Sequence, residues 1–276
     1  MIDLYVVPVR QFNKGLAFTV FDLNVLRDSL YPYKEVDTHT NLESAASEMI
    51  AKYFDQDTYE IQFHSILQPS ENRENISIIY RALIRSGSSD EILRDIPITI
   101  RRESKKLKDG RTLVESKVDI PETTMTALDY EIGCSVINEM HNKMMATLDP
   151  KTNKEGFSIL LGLLDDTFDI KELHMAYTAL TGKTTSSPKM LANSLLDSYQ
   201  VGLQKDGSPR LVFGRDMIEE LSVDDPKVAA ELEKKRQRYR DLYSDDYAKG
   251  GKKVKTIFRK KHSYAAVSDI IPEFSQ

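Results

Sequence analysis

The stretch FDIKELHMAYTALTGK, residues 168–183, decides how the second half of this chain is read. Asp169 with Glu172 three positions on has the spacing of a reciprocal helix N-cap. Ile170, Leu173, Tyr177 and Leu180 then recur on one helical face, and Gly182 falls where a helix ends in the left-handed conformation. Upstream, Phe157, Leu160, Leu161 and Leu164 mark a short helix that stops at Asp165-Asp166-Thr167, preceded by a loop at Pro150 and Asn153. Downstream, Ser186-Ser187-Pro188 supplies an N-cap hydroxyl and a first-turn proline. They open KMLANSLLDSY, with Leu191, Leu195 and Leu196 inward.

Helix, short turn, helix is the helix-turn-helix pattern, whose second helix presents its first residues to the major groove of duplex DNA. Lys183, Thr184, Thr185, Ser186, Ser187, Lys189 and Asn193 are the expected contacts there. VGLQKDGSPRLVFGR, residues 201–215, reads as a hairpin with Asp206-Gly207 at its tip. That makes it the expected wing, with Lys205, Arg210 and Arg215 facing phosphates. Lys189 is the lone basic residue in the presumed recognition helix and Asp197 lies near its end, so base readout is sparse.

The N-terminal half follows a different period. IDLYVVPV (2–9) and LAFTVF (16–21) read as two strands around the turn at Asn13-Lys14-Gly15. Thr40 with Glu43 has capping-box spacing, and Leu42, Ala45, Ala46, Met49, Ile50 and Tyr53 predict a helix over 41–54. Tyr59–Leu67 and Ile76–Arg85 are further strands, and Ile98–Leu107 and Arg111–Val118 flank Asp109-Gly110, a tight-turn pair. A helix follows from Met125 to Met145, with Leu128, Ile132, Val136, Ile137, Met140 and Met144 on one stripe. It is read as the link between two units and as a possible dimer face. The fold class is therefore α+β: a mixed sheet with helices, followed by a winged helix-turn-helix.

Composition narrows the function classes. At 276 residues, with 40% hydrophobic and 29% charged side chains, the chain suits two folded units. No apolar run approaches the roughly 20 residues that span a bilayer, and MIDLYVVPVR lacks the make-up of a secretory signal, so the cytoplasm is the expected compartment. The lone Cys134 reads as a small core residue beside Tyr130 and Ile137. A net charge of −5 carries no global nucleic-acid signature, so contacts with DNA must come from local patches. One is KGGKKVKTIFRKK (249–261), which carries Lys249, Lys252, Lys253, Lys255, Arg259, Lys260 and Lys261 with no acid between them. The preceding segment, 227–243, reads as a helix with a mostly solvated face.

An N-terminal sheet unit, a connecting helix and FSILLGLLDDTFDIKELHMAYTALTGK together resemble the Nudix-related transcriptional regulators over most of residues 1–215. The resemblance implies a Nudix-like effector-sensing domain (1–124), a linker helix and loop (125–150) and a winged helix-turn-helix (151–216); the C-terminal helix and basic tail (217–276) depart from the family pattern. It also implies a homodimer, double-stranded DNA as partner and a small-molecule effector such as ADP-ribose, a nucleotide sugar or a sugar. Arg10, Arg81, Arg101 and Arg102 are the expected phosphate or carboxylate contacts of that effector.

LYPYKEVDTHTNLESAASEMIAKYFDQ resembles the Nudix-box loop and helix in its small and aliphatic positions, but not in its catalytic signature. Anchored on Glu48, the Arg-Glu pair falls at Ser47 and Glu48 and the magnesium-binding Glu-Glu pair at Ala51 and Lys52. The helix-terminal Gly falls at Phe54 and the Gly-Gly at Pro32 and Tyr33. Aligning on Ala45 and Ala46 puts the Glu-Glu pair at Lys52 and Tyr53 instead. Diphosphate hydrolysis on this fold needs clustered carboxylates to hold divalent cations. The expectation is accordingly no enzyme, no cofactor and no metal, but a ligand-responsive transcriptional regulator, acting by repression or by activation. A nucleotide-sugar hydrolase using non-standard carboxylates and a winged-helix interaction adaptor are the competing readings.

Overall fold

A computed structural model of the chain describes residues 1–12, 15–20, 29–68, 75–85, 94–107, 112–121, 125–145, 150–182, 218–222, 224–230, 233–234 and 256–260. Among them no helix is long and apolar enough to cross a membrane.

The centre of the molecule is a seven-stranded mixed sheet. Its strands are β1 (Ile2–Phe12), β2 (Gly15–Val20), β3 (Tyr33–Val36), β4 (Tyr59–Leu67), β5 (Ile76–Ile84), β6 (Arg94–Lys106) and β7 (Thr112–Asp119). The order is β4-β5-β1-β2-β6-β7, with β3 also pairing β1. Only β1 and β5 are parallel, from Ile2↔Ile76 to Arg10↔Ile84. The sequence reading found these strands apart from β3, whose YKEV carries a single buried side chain, Val36, and so shows no alternation.

β1 is apolar almost throughout because both its faces are covered. Leu4 and Val6 join Ile78, Ala82 and Ile84 of β5 beneath α1 (Leu42–Ile50), which contributes Ala45, Ala46, Met49 and Ile50. Tyr5, Val7 and Val9 join Ile79 and Leu83 on the opposite face. That face is covered by α2 (Ala127–Met145), α3 (Pro150–Gly162) and α4 (Ile170–Thr181). The cap of α1 is Asn41, whose side chain accepts from Ser44 N at 3.0 Å, one residue later than the Thr40 expected from spacing. Pro150 and Asn153 lie inside α3 rather than in a loop. Proline at a first helical position gives up no hydrogen bond, so there it starts a helix instead of breaking one.

The apolar stripe of α2 is spent within the chain. Ile132, Val136, Ile137, Met140 and Met144 enter the same cluster as Phe157, Leu160, Leu161 and Leu164 of the α3 segment and Leu173, Ala176 and Leu180 of α4. Cys134 is partly buried against it. One core thus runs from the sheet through α4 with no break near residue 125.

α2 and α3 meet at backbone distance. A Cβ placed on Gly156 would lie 2.5 Å from the Lys143 carbonyl oxygen and 2.9 Å from Met144 Cα. Gly156→Ala should therefore destabilise the protein although alanine is the better helix former. The helix gain of about 1 kcal/mol is outweighed by overpacking, of order 1–3 kcal/mol, against backbone that cannot rotate away. Urea unfolding would register this as a lower midpoint at unchanged slope.

Candidate functional site

The helices α3 and α4 are joined by β8 (Thr167–Asp169), which belongs to a second, three-stranded sheet of order β8-β10-β9. Its other strands are β9 (Ile218–Ser222) and β10 (Thr256–Lys260). The N-cap of α4 is as its sequence predicts: Asp169 Oδ1 accepts from Lys171 N (2.7 Å) and Glu172 N (2.9 Å), and Glu172 Oε2 accepts from Asp169 N at 2.7 Å. At the other end Gly182 takes φ 63° and its N–H donates to Thr178 O at 2.8 Å. Only a residue without a side chain fits there, because a Cβ would stand 2.5 Å from the Ile100 carbonyl oxygen of β6. His141 of α2 fastens the same end, Nδ1 donating to Leu180 O at 2.8 Å.

The basic C-terminal segment has a structural role that its charge pattern does not show. Among the described residues, the strand that closes on β8 comes from 256–260. Phe258 packs on Phe168 with ring centroids 5.8 Å apart. Lys260 Nζ donates to Leu164 O at 2.6 Å, just past the end of α3, and burial lowers its pKa to about 8, helped by the charge of Arg85. Two basic residues of the 249–261 run, Arg259 and Lys260, are thus part of a sheet that packs on the helical module.

The expected DNA contacts Lys183, Thr184, Thr185, Ser186, Ser187, Lys189, Asn193, Lys205 and Arg210 all lie outside the described residues, as does Arg215. So do the presumed recognition helix, the 201–215 hairpin and most of the 227–243 helix, of which 227–230 and 233–234 are described and helical.

The four arginines expected to receive an effector are not brought together. Arg10 on β1 forms a two-pronged pair with Asp95 of β6, Nε to Oδ1 at 2.9 Å and Nη2 to Oδ2. Arg81 on β5 points to the other face, 4% exposed, and donates to Gln62 Oε1 at 2.9 Å and Glu139 Oε1 at 3.4 Å. Arg101 and Arg102 are exposed farther along β6, Arg101 paired with Asp119 at 3.3 Å. On α1, Glu48 and the nearby Lys52 are exposed, and Ser47 Oγ meets the Tyr59 hydroxyl at 3.4 Å.

A charged cluster that sequence spacing does not disclose lies between the sheet and α2. A bulge in β4 between Phe63 and Ser65 leaves His64 outside the ladder and turned toward α2, where Nδ1 contacts the Glu139 carboxylate and Nε2 meets Ser135 Oγ at 3.0 Å. Glu139 also takes Arg81 and, at 2.5 Å, Lys143, which reaches on to Glu155 of α3 at 3.2 Å. Only the Glu139–Lys143 spacing is readable on one helix; the strand partners come from residues 64 and 81.

Burial by itself would raise the pKa of Glu139, but hydrogen bonds from His64 and Lys143 and the charge of Arg81 hold it at about 2. A carboxylate so depressed contributes stability that is present above its ordinary value, 4.5, and is lost as pH falls toward 2. Glu139→Gln leaves the buried Arg81 without its counter-charge and should cost about 2 kcal/mol. That is below the range for fully buried pairs because Glu139 is 25% exposed. Thermal melts from pH 7 to pH 2.5 should show the gap between wild type and variant closing below pH 4.5.

No family model and no curated protein sequence matches the chain. Solved structures do. The crystal structure of Shewanella oneidensis NrtR is similar over 77% of this chain and 94% of its own, with TM-score 0.46 and 10% identity. The same protein complexed with a 27mer DNA is similar over 74% and 86%, with TM-score 0.45 and 11% identity. The C. elegans Ap4A hydrolase is similar over 34% of this chain and 77% of its own, with TM-score 0.24 and 11% identity.

Proposed function

We propose that this chain is a DNA-binding transcriptional regulator in which a Nudix-like sheet unit, silent as a hydrolase, senses a small ligand and a winged helix-turn-helix holds the duplex. The observation that supports it most is the order α3, β8, α4, β9, β10, with β8 paired to the last strand. A winged helix runs helix, strand, helix, recognition helix and two returning strands, and the described elements match that order on either side of 183–217. α4 takes the place of the supporting helix, and Gly182 turns the chain into 183–198, the segment read as the recognition helix. In this reading Lys189 and Asn193 face base edges, Lys205 and Arg210 face phosphates, and a homodimer presents two such helices to paired half-sites.

Catalytic silence rests on α1. Glu48 has Ser47 before it and Ala51 and Lys52 after it where a Nudix helix carries its metal-binding carboxylates. A cation in place of two carboxylates repels the divalent ion that would polarise a diphosphate. The effector class is a nucleotide sugar or a sugar, acting through a preference for one dimer geometry over another.

The test is a binding titration of the purified chain against duplex fragments of its own genomic neighbourhood, at two salt concentrations with nonspecific competitor. Saturable, sequence-selective and salt-sensitive binding is expected. Lys189→Ala with Asn193→Ala should weaken the selected duplex by roughly 1–3 kcal/mol per lost base contact while leaving nonspecific binding nearly unchanged. Selection of no duplex would favour an interaction adaptor. Incubation with magnesium and a nucleotide-sugar diphosphate should release no product above the uncatalysed rate; turnover would restore the hydrolase reading.

A further inference from the structure

The hairpin of β6 and β7 outgrows the sheet. β2 pairs β6 only from Arg94 to Ile98, whereas β7 pairs it from Thr99 to Lys106, so the outer part is a two-stranded ribbon. Residues 99–119 hold seven Lys and Arg against four Asp and Glu, in a chain whose net charge is −5.

The described acids of the ribbon are sorted onto one face. Side chains alternate along a strand, and Ile100 is buried beneath the α2–α4 side, so Arg102, Ser104 and Lys106 follow it on that side, with Ser116 directly opposite Arg102. All four are exposed, and among the described side chains of the ribbon no acid shares their face. The acids Glu103, Glu115 and Asp119 are on the other face, interleaved with Arg101, Lys105 and Lys117. Lysines on an edge ribbon are commonly a guard against strand-to-strand aggregation. A guard needs charge of either sign on either face, however, and does not account for one face whose exposed side chains, among those described, are basic or hydroxylic.

That face adjoins the helical module. Ile100 O stands against Gly182 at the end of α4, and Arg102 is close enough to Tyr177 of α4 for its charge to oppose the rise that burial causes in that phenol. The base of the ribbon and the C-terminal end of α4 are therefore neighbours.

We propose that the Arg102–Ser104–Lys106–Ser116 face of the β6–β7 ribbon is a second duplex-DNA contact, gripping phosphates that flank the segment read by the winged helix. The inference rests on the reading of the chain as a DNA-binding regulator. It assigns Arg102 to the nucleic acid rather than to a small effector. Two cationic side chains supply salt-sensitive affinity without sequence information, and hydroxyls are ordinary phosphate partners.

The experiment compares the full-length wild-type chain, Arg102→Ala with Lys106→Ala, and the opposite-face control Lys105→Ala with Lys117→Ala. Each is titrated over a salt series against the selected duplex and a scrambled one. The Arg102/Lys106 variant should lose affinity for both duplexes by the same factor, and its plot of log K against log salt should be less steep by about 2, one for each phosphate contact removed. The control should match wild type, and equal melting temperatures for all three chains would confirm intact folds. If the wild type selects a duplex and the Arg102/Lys106 variant keeps its affinity and slope, this inference is overturned and the regulator reading stands. An equal loss in the control would also overturn it, because the effect would then be general charge. Selection of no duplex by the wild type would overturn both.

Discussion

Everything in this fold hangs on the parallel pairing of β1 with β5. Nine residue pairs hold two strands whose alternate side chains are buried in opposite directions, so neither strand has a solvent face to give away. A strand buried on both sides needs cover on both sides, and the two covers are unlike each other. α1 seals one face with small side chains, Ala45 and Ala46, that let it sit close. On the other, α2, α3 and α4 are layered, each held to the next by the same cluster of aliphatic and aromatic side chains.

This second cover makes the helical module continuous with the sheet. Gly156 brings α3 onto the backbone of α2, Gly182 brings the end of α4 onto β6, and the Glu139 cluster ties β4 and β5 to α2 and onward to α3. A ligand changes the behaviour of a distant element only through contacts that differ between two states. In this chain packed core and paired charges connect the sheet to α2, α3 and α4.

The legible parts of the sequence were those governed by neighbours. The capping box of Asp169 and Glu172, the left-handed Gly182 and the stripe on α2 are all local, and spacing alone found them. Asn41 displaced Thr40 because either side chain can cap, and which one does depends on where the first turn closes against the sheet. Pro150 read as a loop because proline stops helices as well as starting them. The arginines were harder: Arg10, Arg81, Arg101 and Arg102 look alike in sequence, yet one is locked to Asp95, one is buried on Glu139 and two lie along the outer part of β6.

The sequence by itself determined the mainly-strand first half and the helices that follow, since periodicity, capping and residue identity are properties of short stretches. Only the tertiary structure decided that Thr256–Lys260 is the central strand of the second sheet, that His64, Arg81 and Glu139 share one cluster, and that the acids Glu103, Glu115 and Asp119 of the β6–β7 ribbon share one face. Those facts depend on strand pairing and on contacts between residues far apart in the chain, and a charge pattern does not encode which strand its residues will pair with or which side of a sheet they will reach.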